Sequence, residues 1–287
     1  MDEELIQISE EIFAYIRSQL TFHLRFMDLA LNNYQLIPDA LEYRCDGKFF
    51  HYPPIALIKT FQNNPNEMVR GYLHVVLHSV FQHLYFSKNR RMSLWNLAAD
   101  IAVENVIEQL GLSCTETPAS QEKQRQIAKI REKVPEFTAQ KIYHYLEDLE
   151  TDQIKLLAPV FYFDNHECWY EIRDSIGTSE TLYGEENRDN PSASSGNRFE
   201  GATHDTGESQ EGEDPHASEE EIRQIRNALK DWKEISEKIE TDLETINREE
   251  GEKAEALVQS LKALHREKYS YRTFLRKFMS PGEKMKI

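Results

Sequence analysis

The chain has 287 residues, with 34 Lys+Arg against 50 Asp+Glu, a formal charge of −16. That balance excludes a nucleic-acid binder that works by neutralising phosphates, and no apolar run reaches the roughly 18 residues of a membrane span. Cys45, Cys114 and Cys168 form no Cys-x-x-Cys pair, which argues against a disulfide framework or an all-cysteine zinc site. The first residues, Met1-Asp2-Glu3-Glu4, are acidic where a secretory leader would be basic and then apolar, so a cytoplasmic location is expected.

Residues 4–32 carry Ile8, Ile12, Ile16, Leu20, Leu24, Met27 and Leu31 at steps of three and four, one apolar face of a helix. Over 41–52 the pattern changes. Tyr43-Arg44-Cys45 and Lys48-Phe49-Phe50 flank Asp46-Gly47, a pair suited to a type I′ hairpin turn. Pro53-Pro54 stops the second strand, because proline cannot donate to a ladder. A short helix over 55–61 and a loop at Asn63-Asn64-Pro65-Asn66 come next. Helices then follow over about 67–86, 93–111, 120–133, 138–149 and 151–158. Val134-Pro135 separates two of them, and Thr138 is a candidate N-cap. The expected fold is mainly α, an α+β body with one small β-hairpin.

Between 185 and 221 there are 12 acidic and 2 basic residues and a single aromatic, Phe199. Such a stretch has almost nothing to bury and reads as an acidic disordered linker over 185–218. It divides a body, 1–184, from a helical tail, 219–287. In the tail Ile222, Ile225, Leu229, Trp232, Ile235, Ile239, Leu243 and Ile246 recur at three and four, with a charged outer face. Gly251 marks an expected turn, and Ala254, Leu257, Leu261 and Leu264 begin a second helix of the hairpin. The basic, aromatic run over 269–278 suits core or docking contacts better than nucleic acid.

The informative stretch is Tyr72-Leu73-His74-Val75-Val76-Leu77-His78-Ser79-Val80-Phe81-Gln82-His83. Histidines four apart on a helix sit about 40° apart around its axis, so both imidazoles can reach one metal ion. The surrounding Leu, Val and Phe residues say that the helix is buried on most sides. Two polar rings there need partners, either local hydrogen bonds or a metal. His83, nine residues after His74, is half a turn out of phase on a continuous helix. With no Gly or Pro to break that helix, it is expected to face away as a structural histidine.

The next helix carries Asn96, Asp100 and Glu104 at i, i+4 and i+8, a polar stripe among Leu, Ala, Ile and Val. Buried carboxylates are costly unless paired or bound to a cation. A carboxylate stripe opposite a histidine stripe is one way to build a His-His-carboxylate zinc site. A metal-free network of carboxylates with histidine or arginine is the other reading of the same residues. His166, in Asp164-Asn165-His166-Glu167, is either an exposed loop residue or a pocket histidine oriented by Asp164 that donates to a bound carbonyl.

These landmarks resemble the metallopeptidase-type domain found at the N-terminus of bacterial proteins that end in a von Willebrand factor A-like domain. The resemblance rests on His74-x-x-x-His78-x-x-x-x-His83, Trp95-Asn96-Leu97-Ala98-Ala99-Asp100-Ile101-Ala102 and the Asp46-Gly47 hairpin. It extends to Asp164-Asn165-His166-Glu167-Cys168-Trp169 and to Tyr271-Arg272-Thr273-Phe274-Leu275-Arg276-Lys277-Phe278. It implies a zincin-like fold, a MoxR-type AAA+ ATPase as partner and, if active, a peptide or protein substrate. No Asp-x-Ser-x-Ser run is present, so the A-like domain is expected to be absent and the chain to be a fragment or a shortened protein. In His-Glu-x-x-His peptidases the glutamate is the general base of hydrolysis. Here that position is Val75, which can take no proton.

Two functions stay open on the sequence. In the first, His74, His78 and Asp100 hold a divalent ion, expected to be Zn²⁺, with Asn96 and Glu104 beside them. Glu104 and His166 are then the candidate catalytic residues of a weak or inactive peptide hydrolase. In the second, the same residues form a structural site in a non-catalytic interaction module.

Overall fold

The structure is a computed structural model that describes residues 3–39, 41–85, 90–177, 219–245 and 255–265. It is mainly helical with one small sheet, the architecture expected from the sequence. The helices are α1 (Glu3–His23), α2 (Asp28–Asn32), α3 (Pro54–Asn63), α4 (Pro65–Val80), α5 (Met92–Leu110), α6 (Ser120–Arg131), α7 (Ala139–Glu147), α8 (Thr151–Phe161), α9 (Glu167–Gly177) and α10 (Glu219–Thr245). A further helix, α11, covers 255–265. Among the described residues no helix is long and apolar enough to cross a membrane.

The centre of the molecule is α4. Every residue from Met68 to Val80 is buried, so the helix is surrounded by packed elements, as an all-round apolar helix must be. It starts at Asn64, whose side chain accepts a hydrogen bond from the Asn66 amide at 3.2 Å, and Pro65 takes the first helical position, where its missing N–H costs nothing. Helix α5 packs against it and ends at Gly111, whose φ of +58° closes the C-terminus in the left-handed region.

The amino-terminal segment departs from a single helix over 4–32. The α-helix stops at His23, a 3₁₀ turn spans Arg25–Met27, and α2 restarts at Asp28. Leu24 leaves helical geometry (φ −125°, ψ 59°), yet Leu24, Met27 and Leu31 stay buried. The apolar spacing therefore reported the buried face correctly from Ile12 to Leu31, but Ile8 is exposed and the helix is not continuous.

The sheet holds β1 (Gln35–Ile37), β2 (Arg44–Cys45) and β3 (Phe49–His51) in the order β1-β3-β2. Strands β2 and β3 are the expected antiparallel hairpin, with Cys45 opposite Phe50, while β1, which has no counterpart in the sequence reading, pairs in parallel with β3. The turn differs from a type I′ pair centred on Asp46-Gly47. The Asp46 carboxylate accepts the amides of Lys48 (2.8 Å) and Phe49 (2.7 Å), and Gly47 adopts φ +92°. With Cys45 opposite Phe50 and the Asp46 amide donating to the Phe49 carbonyl at 3.3 Å, the two-residue loop is Gly47-Lys48, one position later than expected, and the aspartate bonding backbone ahead of it fixes that register.

The tail helix joins the same core as the body. Trp232, Ile235, Ile239 and Leu243 of α10 and Leu257 and Leu261 of α11 belong to the continuous apolar cluster that includes Phe50, Tyr72 and Leu31. The Trp232 indole donates to the Gly47 carbonyl at 2.6 Å. The expected linker over 185–218, the turn at Gly251 and the run over 269–278 lie outside the described residues.

Candidate metal centre

Helix α4 presents His74 and His78 one turn apart, with their Nε2 atoms 2.9 Å from each other. Helix α5 lays Asp100 against both rings. Its Oδ1 is 3.4 Å from His74 Nε2 and 3.2 Å from His78 Nε2. The fourth group comes from the loop before α9. Asn165 is held on the edge of β2, its amide donating to the Tyr43 carbonyl at 2.7 Å and its side chain to Glu42 at 2.9 Å. In extended chain, residues two apart share a face, so anchoring Asn165 sends Asp164 and His166 to the same side. Asp164 Oδ1 comes within 3.6 Å of His74 Nε2, and His166 Nε2 within 3.3 Å of Asp164 Oδ1 and 3.6 Å of Asp100 Oδ1. The His166 ring stacks on Trp169, centroids 3.7 Å apart.

The donor chemistry fits a cation. Among the described residues, His74, His78, Asp100 and Asp164 each offer one ligand atom within 4.8 Å of the other three. Two-coordinate edges of a tetrahedron with bonds of about 2.0–2.1 Å are roughly 3.3–3.4 Å long, close to the separations of Asp100 from the two rings. All four residues are buried, and Asp100 is 5% exposed. Asp100 Oδ1, both oxygens of Asp164 and His166 Nε2 have no hydrogen-bond partner despite these approaches. Buried carboxylate oxygens without donors are costly; a positive ion among them removes that cost.

Behind this group lies an ion network. His74 Nδ1 meets Glu104 Oε1 at 2.9 Å, and the same oxygen lies 2.8 Å from Lys123 Nζ. The other Glu104 oxygen accepts from Arg70 Nε at 2.9 Å, while Arg70 also reaches Glu108 at 2.6 Å and the Thr115 carbonyl at 3.0 Å. Burial alone would raise the Glu104 pKa, but the hydrogen bond from His74 and the charges of Lys123 and Arg70 hold it well below the usual carboxylate range. Burial likewise disfavours a charged His74, yet the neighbouring carboxylates of Asp100 and Glu104 win and push it up to about 9. His78 goes the other way, driven well down by burial and by the neighbouring His74 and His166. Burial disfavours a charged His166, but the charges of Asp164 and Asp100 raise its pKa.

The sequence-derived residues are thus distributed unequally. His74, His78 and Asp100 come together. His166 joins them as a buried residue, not an exposed loop histidine. Glu104 touches His74 on the outer side of its ring, and both of its oxygens are engaged by cations, so no oxygen is free to act as a base. Asn96 donates to the Tyr170 hydroxyl at 3.2 Å. Val75 is fully buried in the apolar core.

The expectation for His83 is corrected. Helix α4 ends at Val80, Gln82 takes φ +56°, and a 3₁₀ turn begins at His83. The chain doubles back, and His83 Nδ1 lies 3.0 Å from His78 Nδ1. A glutamine in left-handed geometry did what only Gly or Pro was expected to do. Asp164 had been seen only as a partner of His166, although the Asp-x-His alternation beside a strand was its available signal. Arg70 and Lys123 were not anticipated; Arg70, one turn before His74, could have been read as part of the same stripe.

Compared with family models, residues 28–281 match the one described as "Putative metallopeptidase domain". The chain belongs to this family. The matched span takes in α4, α5, the loop of Asp164 and His166, and α10, so the whole site lies within the family domain. No curated protein and no solved structure matches the chain.

Proposed function

We propose that this metallopeptidase-family domain holds one Zn²⁺ ion through His74, His78, Asp100 and Asp164, and that it hydrolyses peptides weakly or not at all. The observation that carries the reading is the set of unpartnered oxygens of Asp100 and Asp164 facing two histidine Nε2 atoms. When bound, such an ion supplies Lewis-acid polarisation of a carbonyl. The chain's own residues would bind it and fix its surroundings: Glu104 accepts a hydrogen bond from His74 Nδ1–H and leaves Nε2 to coordinate. Neither residue at the positions considered for a glutamate base can serve as one. Val75 is aliphatic and Glu104 is tied to Arg70 and Lys123, and hydrolysis without a general base loses about 10²–10⁴-fold.

A second reading, a non-catalytic interaction module with a structural ion, draws on the closure of the site. Catalytic zinc sites keep a position open beside three protein ligands, whereas four buried protein ligands are the pattern of a structural site. In that reading the domain serves a partner, the expected one being a MoxR-type AAA+ ATPase. Metal analysis of protein purified without a histidine tag, followed by peptide hydrolysis with and without chelator, tests both. Stoichiometric zinc with no chelator-sensitive cleavage is the expected result. Protein free of metal that still folds and melts normally would overturn the metal reading.

A further inference from the structure

Resting on that metal reading, we propose that His83 is a positioning residue for the ligand His78, accepting a hydrogen bond from its Nδ1–H so that Nε2 is presented to the ion. A neutral imidazole carries one proton on two nitrogens, and only the bare nitrogen can coordinate. His78 Nε2 faces His74 Nε2 at 2.9 Å inside the ligand group, so the proton belongs on Nδ1. His78 is wholly buried, and an Nδ1–H there must find an acceptor. The atom at hydrogen-bond distance is His83 Nδ1, at 3.0 Å. His83 then carries its own proton on Nε2.

The backbone is bent to make this contact. On a continued α4, His83 would lie on the far side of the helix. Phe81 caps α4 still in the right-handed helical region, and the chain departs at Gln82, which adopts φ +56°, the only positive φ of a non-glycine among the described residues. Residues with a Cβ adopt that region rarely, and such strain gathers where surrounding structure requires it. The bend is clamped from the other side of the site: the His83 carbonyl accepts the Trp95 indole at 3.0 Å, and Trp95 sits on α5 just over a turn before Asp100. His83 is 5% exposed, and its ring lies edge-on to Trp95.

The two histidine ligands are therefore braced differently. His74 is backed by an anion, Glu104, that is itself fixed by Arg70 and Lys123, while His78 is backed by an uncharged ring. An outer partner of a metal histidine is typically worth about 10–100-fold in metal affinity, and that is the loss expected from His83→Phe. The variant keeps the aromatic bulk and loses the acceptor; His83→Asn, which offers a side-chain oxygen, should recover most of the affinity.

Chelator competition with Zn²⁺ on the full chain measures the loss, and the visible spectrum of the Co²⁺-loaded protein should shift in His83→Phe and return in His83→Asn. Imidazole ¹⁵N shifts of the zinc-loaded wild type read the tautomer directly and need no variant to fold. Nδ1–H and metal-bound Nε2 on His78 are expected. Equal zinc affinity and an unchanged Co²⁺ spectrum in His83→Phe would overturn this role while leaving the metal reading intact, as would a metal-bound Nδ1 on His78. A wild type that takes up no zinc would overturn the metal reading and this role with it.

Discussion

A methyl group on Gly71 would lie 2.0 Å from Phe163 Cζ. The Phe163 ring stacks on Tyr43, with centroids 5.0 Å apart, and fills the hollow that the glycine leaves on α4, one turn before His74. Because Asp164 is the next residue, the glycine sets how near a ligand-bearing loop can come to the histidine helix. Gly71→Ala should therefore act twice. Overpacking of this kind costs about 1–3 kcal/mol, visible in chemical denaturation of the metal-free protein, and the displaced Asp164 should weaken zinc in a competition assay. An unchanged affinity beside a lowered stability would show that Asp164 is not a ligand.

Neutralising a carboxylate of the group should cost more with zinc than without it. Asp164→Asn and Asp100→Asn each remove a charge that supports a protonated His166 or His74 in the metal-free protein, so that form should lose some stability. The zinc-loaded form should lose the stabilisation that binding contributes by mass action. Melting temperatures with and without excess zinc give both numbers. A variant that melts lower only in the absence of zinc would contradict the assignment.

Glu104→Gln leaves Arg70 and Lys123 facing an amide. Removing one member of a buried ion pair typically costs about 3–5 kcal/mol, and Glu108 still partners Arg70, so a loss near the lower end is expected. The loss should be present without metal, since the network stands behind the ligands. Denaturant midpoints of the metal-free variant and parent decide it; a difference within error would mean that the network is not organised until metal binds.

The raised pKa of His74 makes a signed prediction. Its folded value of about 9 lies above the roughly 6.5 of an unfolded histidine. In the metal-free protein the charged ring thus adds stability that is fully present below about pH 6.5 and is lost as pH rises through about 9. Zinc must expel that proton, so binding should release it and tighten over the same interval. Calorimetry in two buffers of different ionisation heat counts the protons. Zinc binding with no release below pH 8 would show that His74 is neutral in the metal-free protein.

The periodicity of apolar residues was enough to find α4 and α5 and to place His74, His78 and Asp100 on facing sides, because helical phase is a local property. It failed where the phase is reset by a single residue. Gln82 carries no turn signature, yet its positive φ turns His83 from the far side of the helix onto His78. It was also blind to contacts made across the chain: Asp164 reaches the histidines only because Asn165 bonds to a strand more than 100 positions earlier, and Lys123 reaches Glu104 from another helix. Glu104 looked like a candidate base from its position alone, and the two cations that occupy it come from separate elements.

The bond from Trp232 to the Gly47 carbonyl joins positions 185 residues apart. During synthesis the hairpin turn and helices α4 and α5 emerge long before the indole that caps that turn. Closing so wide a span adds little to the equilibrium cost, since loop entropy grows only with the logarithm of length, but contacts of such separation slow the search for the native state. Until α10 arrives, the apolar surface that Trp232, Ile235 and Ile239 cover faces water on the nascent domain. Helix α10 is thus a late element that fastens an early turn, and a chain halted before residue 232 would carry the histidines without that latch.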